Sequence, residues 1–204
     1  SQMDITNPTE VGEVLEELFY KKDKVSHLIH TAAVTKPMSR IELSPEESVK
    51  TNIGGTLNVA LKCYEHKIKF IYISSDFVYP PSSLPHSETS PVLPSNKYGW
   101  SKLGGECVTH VLPNSLIFRC ALCDIPFRHK KACSNILRSS ITHDDAAKII
   151  LKLKDLTGVI NLGGDAQSVF DFVSQYQVAT PHKCDESQVP SLTLNTQALN
   201  NILK

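Results

Sequence analysis

Tyr98-Gly-Trp-Ser-Lys102 sets a phenol and an ammonium four residues apart, neighbours on one face of any helix that carries them. A lysine held beside a tyrosine stabilises the phenolate and draws the phenol down from its usual value of about 10, which makes it a usable proton donor near neutrality. The pair alone carries little weight, because tyrosine and lysine at this spacing occur on many solvated helices. Its context carries more. Ser74-Ser75-Asp76 closes an apolar run earlier in the chain, and a hydroxyl at a strand end can hold a carbonyl oxygen while a tyrosine protonates it and a hydride arrives from a cofactor. The competing reading of Ser75 is a turn hydroxyl bonded to backbone.

The elements that would position these groups are legible as alternating helices and strands. Asn7-Pro8-Thr9-Glu10 opens a first helix, with Asn7 as cap and Glu10 at the capping-box position, and Val11, Val14, Leu15, Leu18 and Phe19 follow at helical spacing. Val25–Ala33 reads as a buried strand. Ser44-Pro45-Glu46-Glu47 opens a second helix with an apolar stripe of Val49, Ile53, Leu57, Ala60, Leu61 and Tyr64, before the strand Lys69–Ser75. A helix over about 95–111 precedes the strand Ser115–Ala121, and a helix capped by Thr142, with Asp145 three residues on, precedes the strand Gly158–Leu162. This rhythm demands right-handed crossovers and a parallel sheet covered on both faces, a doubly wound α/β fold of Rossmann type. Pro80–Pro94 and Asp124–Ser140 interrupt it and are candidate substrate loops, and the tail beyond Asp165 carries short helical signals at Ser168–Tyr176 and Thr196–Leu203. The expected organisation is a dinucleotide-binding domain of residues 1–123 and 141–164, with a substrate-binding subdomain of 124–140 and 165–204.

Composition excludes several classes. The 204 residues hold 21 basic and 21 acidic side chains, so no electrostatic footprint of a nucleic-acid or polybasic membrane binder is present. No apolar run approaches the ~18 residues of a membrane span, and no signal-peptide pattern opens the chain. The cysteines (Cys63, Cys107, Cys120, Cys123, Cys133, Cys184) are scattered through core-like segments, which favours reduced thiols and a cytosolic protein. Cys120 and Cys123 have metal or redox spacing but lack a second pair at zinc-ribbon spacing, so they read as packed thiols and no metal centre is expected. His27 and His30 share one face of a buried strand and read as satisfied core or cofactor-adjacent residues in preference to metal ligands.

The motifs His30-Thr-Ala-Ala-Val-Thr35, Thr51-Asn-Ile-Gly-Gly-Thr-Leu-Asn58, Tyr72-Ile-Ser-Ser-Asp-Phe-Val-Tyr79, Glu88–Glu106 and Thr142-His-Asp-Asp-Ala146, in that order, resemble the extended short-chain dehydrogenase/reductase family. Within it the likeness is to the dTDP-4-dehydrorhamnose reductases. The resemblance implies that Tyr98 is the general acid, that Lys102 binds the nicotinamide ribose and tunes Tyr98, and that Ser75 polarises the substrate carbonyl. It also implies NADPH or NADH as cofactor, contacted by Asp4 and Ile5 near the adenine, by Ala32, Ala33, Val34 and Thr35 along the dinucleotide, and by Ser74. Asn52 is implied as a structural or solvent-relay residue. Family members that dehydrate sugars carry an Asp-Glu pair after the strand hydroxyl. Here Phe77 follows Asp76, which points to reduction of the 4-keto group of a nucleotide-linked deoxy sugar, with C4 epimerisation or a non-catalytic regulatory or scaffold role as alternatives. Asp76, Phe77, Arg128 and Arg138 are the expected substrate contacts, Arg128 and Arg138 with a diphosphate, although a charge run is usually a solvated loop. A homodimer is compatible with the resemblance.

The sequence departs from the family at its start. The expected glycine-rich turn, whose helix N-terminus receives the pyrophosphate, is missing, since Gly12 is the only glycine before Gly54. About one βαβ unit of the family's sheet is therefore not among these residues.

Overall fold

The computed structural model describes residues 3–21, 25–35, 37–187 and 190–204. Its elements in chain order are α1 (Pro8–Lys21), β1 (His27–His30), α2 (Met38–Leu43), α3 (Glu46–Val49), a π-helical turn (Lys50–Gly55), α4 (Thr56–Glu65), β2 (Lys69–Ser75), a 3-10 turn (Asp76–Val78) and α5 (Lys97–His110). They continue with β3 (Leu116–Cys120), β4 (Leu122–Cys123), β5 (Lys131–Cys133), β6 (Leu137–Arg138), β7 (Ile141–Thr142), α6 (His143–Leu153), β8 (Gly158–Leu162), β9 (Gln167–Ser168), α7 (Val169–Ser174), β10 (Thr180–His182) and α8 (Gln197–Leu203). β1, β2, β3 and β8 form one sheet in that order, and β1 runs parallel to β2 with His27 opposite Lys69 and His30 opposite Tyr72. Parallel strands alternating with helices are the α/β architecture the periodicity requires. Among the described residues no helix is long and apolar enough to cross a membrane.

Two compact units divide the chain. The first comprises Ser1–Ser74, Asn96–Ile117 and Lys154–Gly158. Its core joins Val11 and Leu15 of α1, Val59, Ala60 and Cys63 of α4, and Phe70, Ile71 and Tyr72 of β2. Asn7 caps α1 as expected, accepting from the amides of Thr9 and Glu10, and Glu10 reaches back to the amide of Asp4. The stripe expected over residues 49–64 is corrected by the structure. Val49, Leu57, Leu61 and Tyr64 are exposed, while Ser48, Asn52, Gly55, Thr56, Val59, Ala60 and Cys63 face inward. The π-helical turn rotates the helix partway along, and the inward polar groups are bonded to one another and to backbone, so a count of apolar residues alone misplaces the buried face.

The second unit comprises Ser75–Ser95, Phe118–Leu153 and Val159–Lys204. Short pairings organise it: β4 with β7, β6 with β9 and β5 with β10. Thr142 caps α6 as expected, accepting from the Asp145 amide at 3.1 Å, and Ser168 does the same for α7. A buried polar network braces its core. The Tyr79 hydroxyl accepts from Arg119 Nη1 at 2.8 Å and lies 2.9 Å from Asn161 Oδ1, and the Asn161 amide donates to Glu88 Oε1 at 3.0 Å. Tyr79 and Glu88 stand within the quoted motifs, but their pairing with Arg119 and Asn161 carried no sequence signal, because those partners lie tens of residues away.

The expectation of reduced cysteines is also corrected. Cys133 and Cys184 form a disulfide across a sequence separation of 51 residues, with Cα atoms 5.5 Å apart. The parallel pairing of β5 and β10 brings them together. Cys63, Cys107, Cys120 and Cys123 are not disulfide-bonded. Burial pushes the Cys63 thiol up to about 12, which makes it inert at neutral pH.

Candidate active site

In the first unit, Asn96 starts α5 by accepting from the Gly99 amide at 2.7 Å, which fixes the helix phase that puts Tyr98 and Lys102 on one face. Replacing Asn96 with Ala is expected to cost about 1 kcal/mol, read as a lowered denaturation midpoint with unchanged m-value. Lys102 is only 3% exposed, and its ammonium stands 4.3 Å above the centre of the Tyr72 ring. The Tyr72 hydroxyl donates to the Lys102 carbonyl at 3.3 Å. Burial, reinforced by Tyr98 and Glu106, pushes the Tyr72 phenol well above its ordinary value, so this ring stays neutral beneath the lysine. Gly105 permits the approach, since a Cβ there would meet the Tyr72 hydroxyl at 2.2 Å.

Asn52, in the π-helical turn, ties this helix to the loop after β1. Its Oδ1 accepts from the Val34 amide at 2.7 Å, and its Nδ2 donates to the Val34 carbonyl at 3.0 Å and to Ser101 Oγ at 2.8 Å. At the end of β1, His30 is buried with Nε2 3.1 Å from Thr56 Oγ1. Thr56 spends its own proton on the Asn52 carbonyl, so His30 Nε2 carries the donated hydrogen. Burial, and secondarily the Lys102 charge, lower His30 to about 4. His27, as expected, is satisfied, with Nε2 2.9 Å from Asp155 and Nδ1 2.7 Å from Ser26 Oγ.

The other cofactor candidates of this unit are placed as follows. Asp4 is exposed, and hydrogen bonds from the Thr6 amide and hydroxyl, both 2.9 Å, hold its carboxyl below the usual range. Ile5 is buried, and its carbonyl accepts from Asn58 at 2.9 Å. Ala32, Ala33, Val34 and Thr35 form an irregular segment after β1, in which Ala32 and Thr35 are exposed. Ser74 is buried at the end of β2, and its hydroxyl has no hydrogen-bond partner among the described residues.

In the second unit, Ser75 Oγ accepts from the Phe77 amide at 3.3 Å and donates to Asp76 Oδ1 at 3.1 Å, capping the 3-10 turn. Asp76 is buried and ion-paired to Arg138, whose guanidinium lies 4.6 Å from the centre of the Phe77 ring. Three of the four expected substrate contacts are thus brought together, by residues 62 apart in sequence. Arg128 is exposed, and its ion pair is with Asp124 at 3.1 Å. The residues that sequence reasoning missed are those around the lysine: Tyr72, Ser101 and Thr56. All three lie within the quoted motifs, Tyr72 on β2, Ser101 on α5 and Thr56 on α4, but nothing in the local pattern gave them a role.

A family model described as the RmlD substrate binding domain matches residues 1–146. The chain is 35% identical over 89 residues to the methionine adenosyltransferase 2 subunit beta of Rattus norvegicus, covering 44% of this chain and 26% of that protein. It is 37% identical over 122 residues to the probable low-salt glycan biosynthesis reductase Agl14 of Haloferax volcanii, covering 58% of this chain and 38% of that protein. The chain therefore spans well under half the length of these curated relatives. The fold is similar to the dTDP-4-dehydrorhamnose reductase of Bacillus anthracis str. Ames crystallised with NADP, with a TM-score of 0.81 at 22% identity, covering 98% of this chain and 79% of that one. A hypothetical dTDP-4-dehydrorhamnose reductase from Sulfolobus tokodaii gives a TM-score of 0.81 at 21% identity, over 100% of this chain and 81% of that one. With the family model matched across residues 1–146, the chain belongs to the RmlD substrate-binding domain family.

Proposed function

We propose that this protein is an NADPH- or NADH-dependent reductase of the 4-keto group of a nucleotide-linked deoxy sugar. The observation that carries the reading is the buried ammonium of Lys102, one helical turn from Tyr98 on a helix whose phase is fixed by its cap. An ammonium at this place can hold a ribose hydroxyl and stabilise a developing phenolate.

The residues present suit the nicotinamide half of the cofactor: the Ser74 hydroxyl is buried with no hydrogen-bond partner among the described residues, and the Val34 backbone is held by Asn52. Bound nicotinamide supplies the hydride. Tyr98 gives its phenolic proton to the carbonyl oxygen as that oxygen becomes an alkoxide, and Ser75, turning its hydroxyl proton away from Asp76 Oδ1, donates a hydrogen bond to the same oxygen. Lys102 holds the ribose and stabilises the Tyr98 phenolate left behind. Asp4 and Ile5 lie toward the adenine, and Ala32, Ala33, Val34 and Thr35 along the dinucleotide. Arg138, oriented by Asp76 and Phe77, and Arg128 meet the substrate diphosphate. Residues 124–140 and 165–204 serve as the substrate-binding subdomain. A cytosolic location and a homodimeric assembly belong to the same reading.

The full-length protein given a nucleotide-linked 4-keto-6-deoxy sugar is expected to consume NADPH or NADH, seen as loss of nicotinamide absorbance that depends on the sugar. No loss with either cofactor, although both bind, would favour a non-catalytic subunit, the reading suggested by the likeness to a methionine adenosyltransferase subunit. Inversion at C4 without net cofactor consumption would instead identify an epimerase.

A further inference from the structure

We infer that Cys133, His182 and Cys184 form a binding site for one zinc-class divalent cation, opened by reduction of the Cys133–Cys184 disulfide. None of the three is given a part in the proposed reduction step, and their donor atoms all fall within 4.8 Å of one another. Two thiolates and a neutral imidazole suit a borderline-soft dication, and they cancel its charge.

The backbone presents this set without adjustment. Cys133 and His182 are directly opposed in the parallel β5–β10 register, and strand alternation returns Cys184 to the His182 side two residues on. The Ser134 amide donates to the His182 carbonyl at 2.9 Å. Asn135 locks the other end, accepting from the Cys184 amide at 2.8 Å and donating to the Cys184 carbonyl at 3.1 Å. None of these bonds involves sulfur, so the scaffold survives opening of the disulfide. His182 Nε2 already lies 3.4 Å from Cys184 Sγ. A tetrahedral zinc with bonds of about 2.3 Å to sulfur and about 2.0 Å to nitrogen has an S–N edge of about 3.5 Å. The sulfurs move apart to an S–S edge of about 3.8 Å. His182 Nδ1, which has no hydrogen-bond partner among the described residues, carries the imidazole proton when Nε2 binds the metal. The fourth vertex is open to water, because all three residues are only half-buried.

The chemistry balances with a thiol reductant. Two reductant thiols are oxidised to their disulfide, passing two electrons and two protons to the Cys133–Cys184 bond, which becomes two thiols. The cation then displaces those two protons to solvent as it binds the thiolates.

The test uses the full chain, reduced and stripped with a chelator, titrated with Co2+ and with Zn2+. The reduced protein is expected to take one equivalent, with a thiolate-to-cobalt charge-transfer band, and Zn2+ is expected to shield Cys133 and Cys184 from alkylation in the unmodified chain. The oxidised protein is expected to show no band. His182→Ala is expected to weaken binding about tenfold or more while leaving the thiol count unchanged. Absence of the band in the reduced chain would overturn the proposal, as would shielding of Cys120 and Cys123 in place of this pair or full affinity in His182→Ala. Because shielding is read on the wild-type chain, the result does not depend on any variant folding.

Discussion

Tyr98→Phe is expected to lower the turnover of keto-sugar reduction by about 10²- to 10⁴-fold, the usual worth of a positioned proton donor, while leaving cofactor affinity and thermal midpoint close to wild type. The substitution removes one oxygen from a half-buried ring near the start of α5, and the Asn96 cap that sets the helix phase is untouched. Lys102→Met separates the two roles proposed for the lysine. Its four-atom apolar chain keeps contact with the Tyr72 ring, but the ammonium that stands 4.3 Å over that ring is gone. Cofactor affinity and turnover are then expected to fall together, whereas Tyr98→Phe moves turnover alone. Stopped-flow turnover and equilibrium cofactor titration on both variants read this split. Wild-type turnover in Tyr98→Phe would remove the tyrosine from the mechanism, whatever the fate of Lys102→Met.

The parts of this site that sequence made legible are those set by local periodicity. β2 and β8 are short, mostly apolar runs between helices, and their bounds could be read directly at Lys69–Ser75 and Gly158–Leu162. The Tyr98–Lys102 face follows from a four-residue spacing within one helix, and the caps at Asn7 and Thr142 follow from short polar side chains ahead of apolar runs. What local pattern cannot carry is a partner far away in sequence. Arg138 read as a free cation for a phosphate, yet it is spent in part on Asp76 and Phe77, because β6 returns it to the turn after β2. Cys133 and Cys184 read as scattered thiols, since strands of three residues leave no periodic trace of the pairing that joins them. The helix over 46–65 was misphased for another reason. Ser48, Asn52 and Thr56 are buried because each finds a hydrogen-bond partner, and hydropathy counts such residues as surface.

Acidification from pH 6.5 to about 4 is expected to destabilise the protein by about 3 kcal/mol through His30 alone. Above pH 6.5 the imidazole is neutral whether the chain is folded or not, and it adds no pH dependence. Below that value the unfolded chain takes up a proton at its ordinary pKa of 6.5, but the folded chain resists until about 4, so the unfolded state binds more protons and stability falls as pH falls. Burial is the larger cause and the Lys102 charge the smaller, and among the described residues the ring also faces Tyr72 and Phe70 from β2, both neutral, and the Thr56 hydroxyl from α4. His30→Gln can still donate to Thr56 and has no proton to gain, so its denaturation midpoint is expected to vary less with pH across this window. The carboxylates held low by surface partners, Asp4, Glu46, Asp145, Asp155 and Asp185, lose their stabilising effect as the pH falls through and below the ordinary carboxylate range, and they are common to both proteins. The difference between the two pH profiles therefore isolates His30, and equal slopes would show that its burial is not maintained in solution. Lys102→Met supplies the cross-check: with the ammonium gone, the His30 ring titration followed by NMR is expected to move upward toward 6.5, though not to reach it, because burial is the dominant cause.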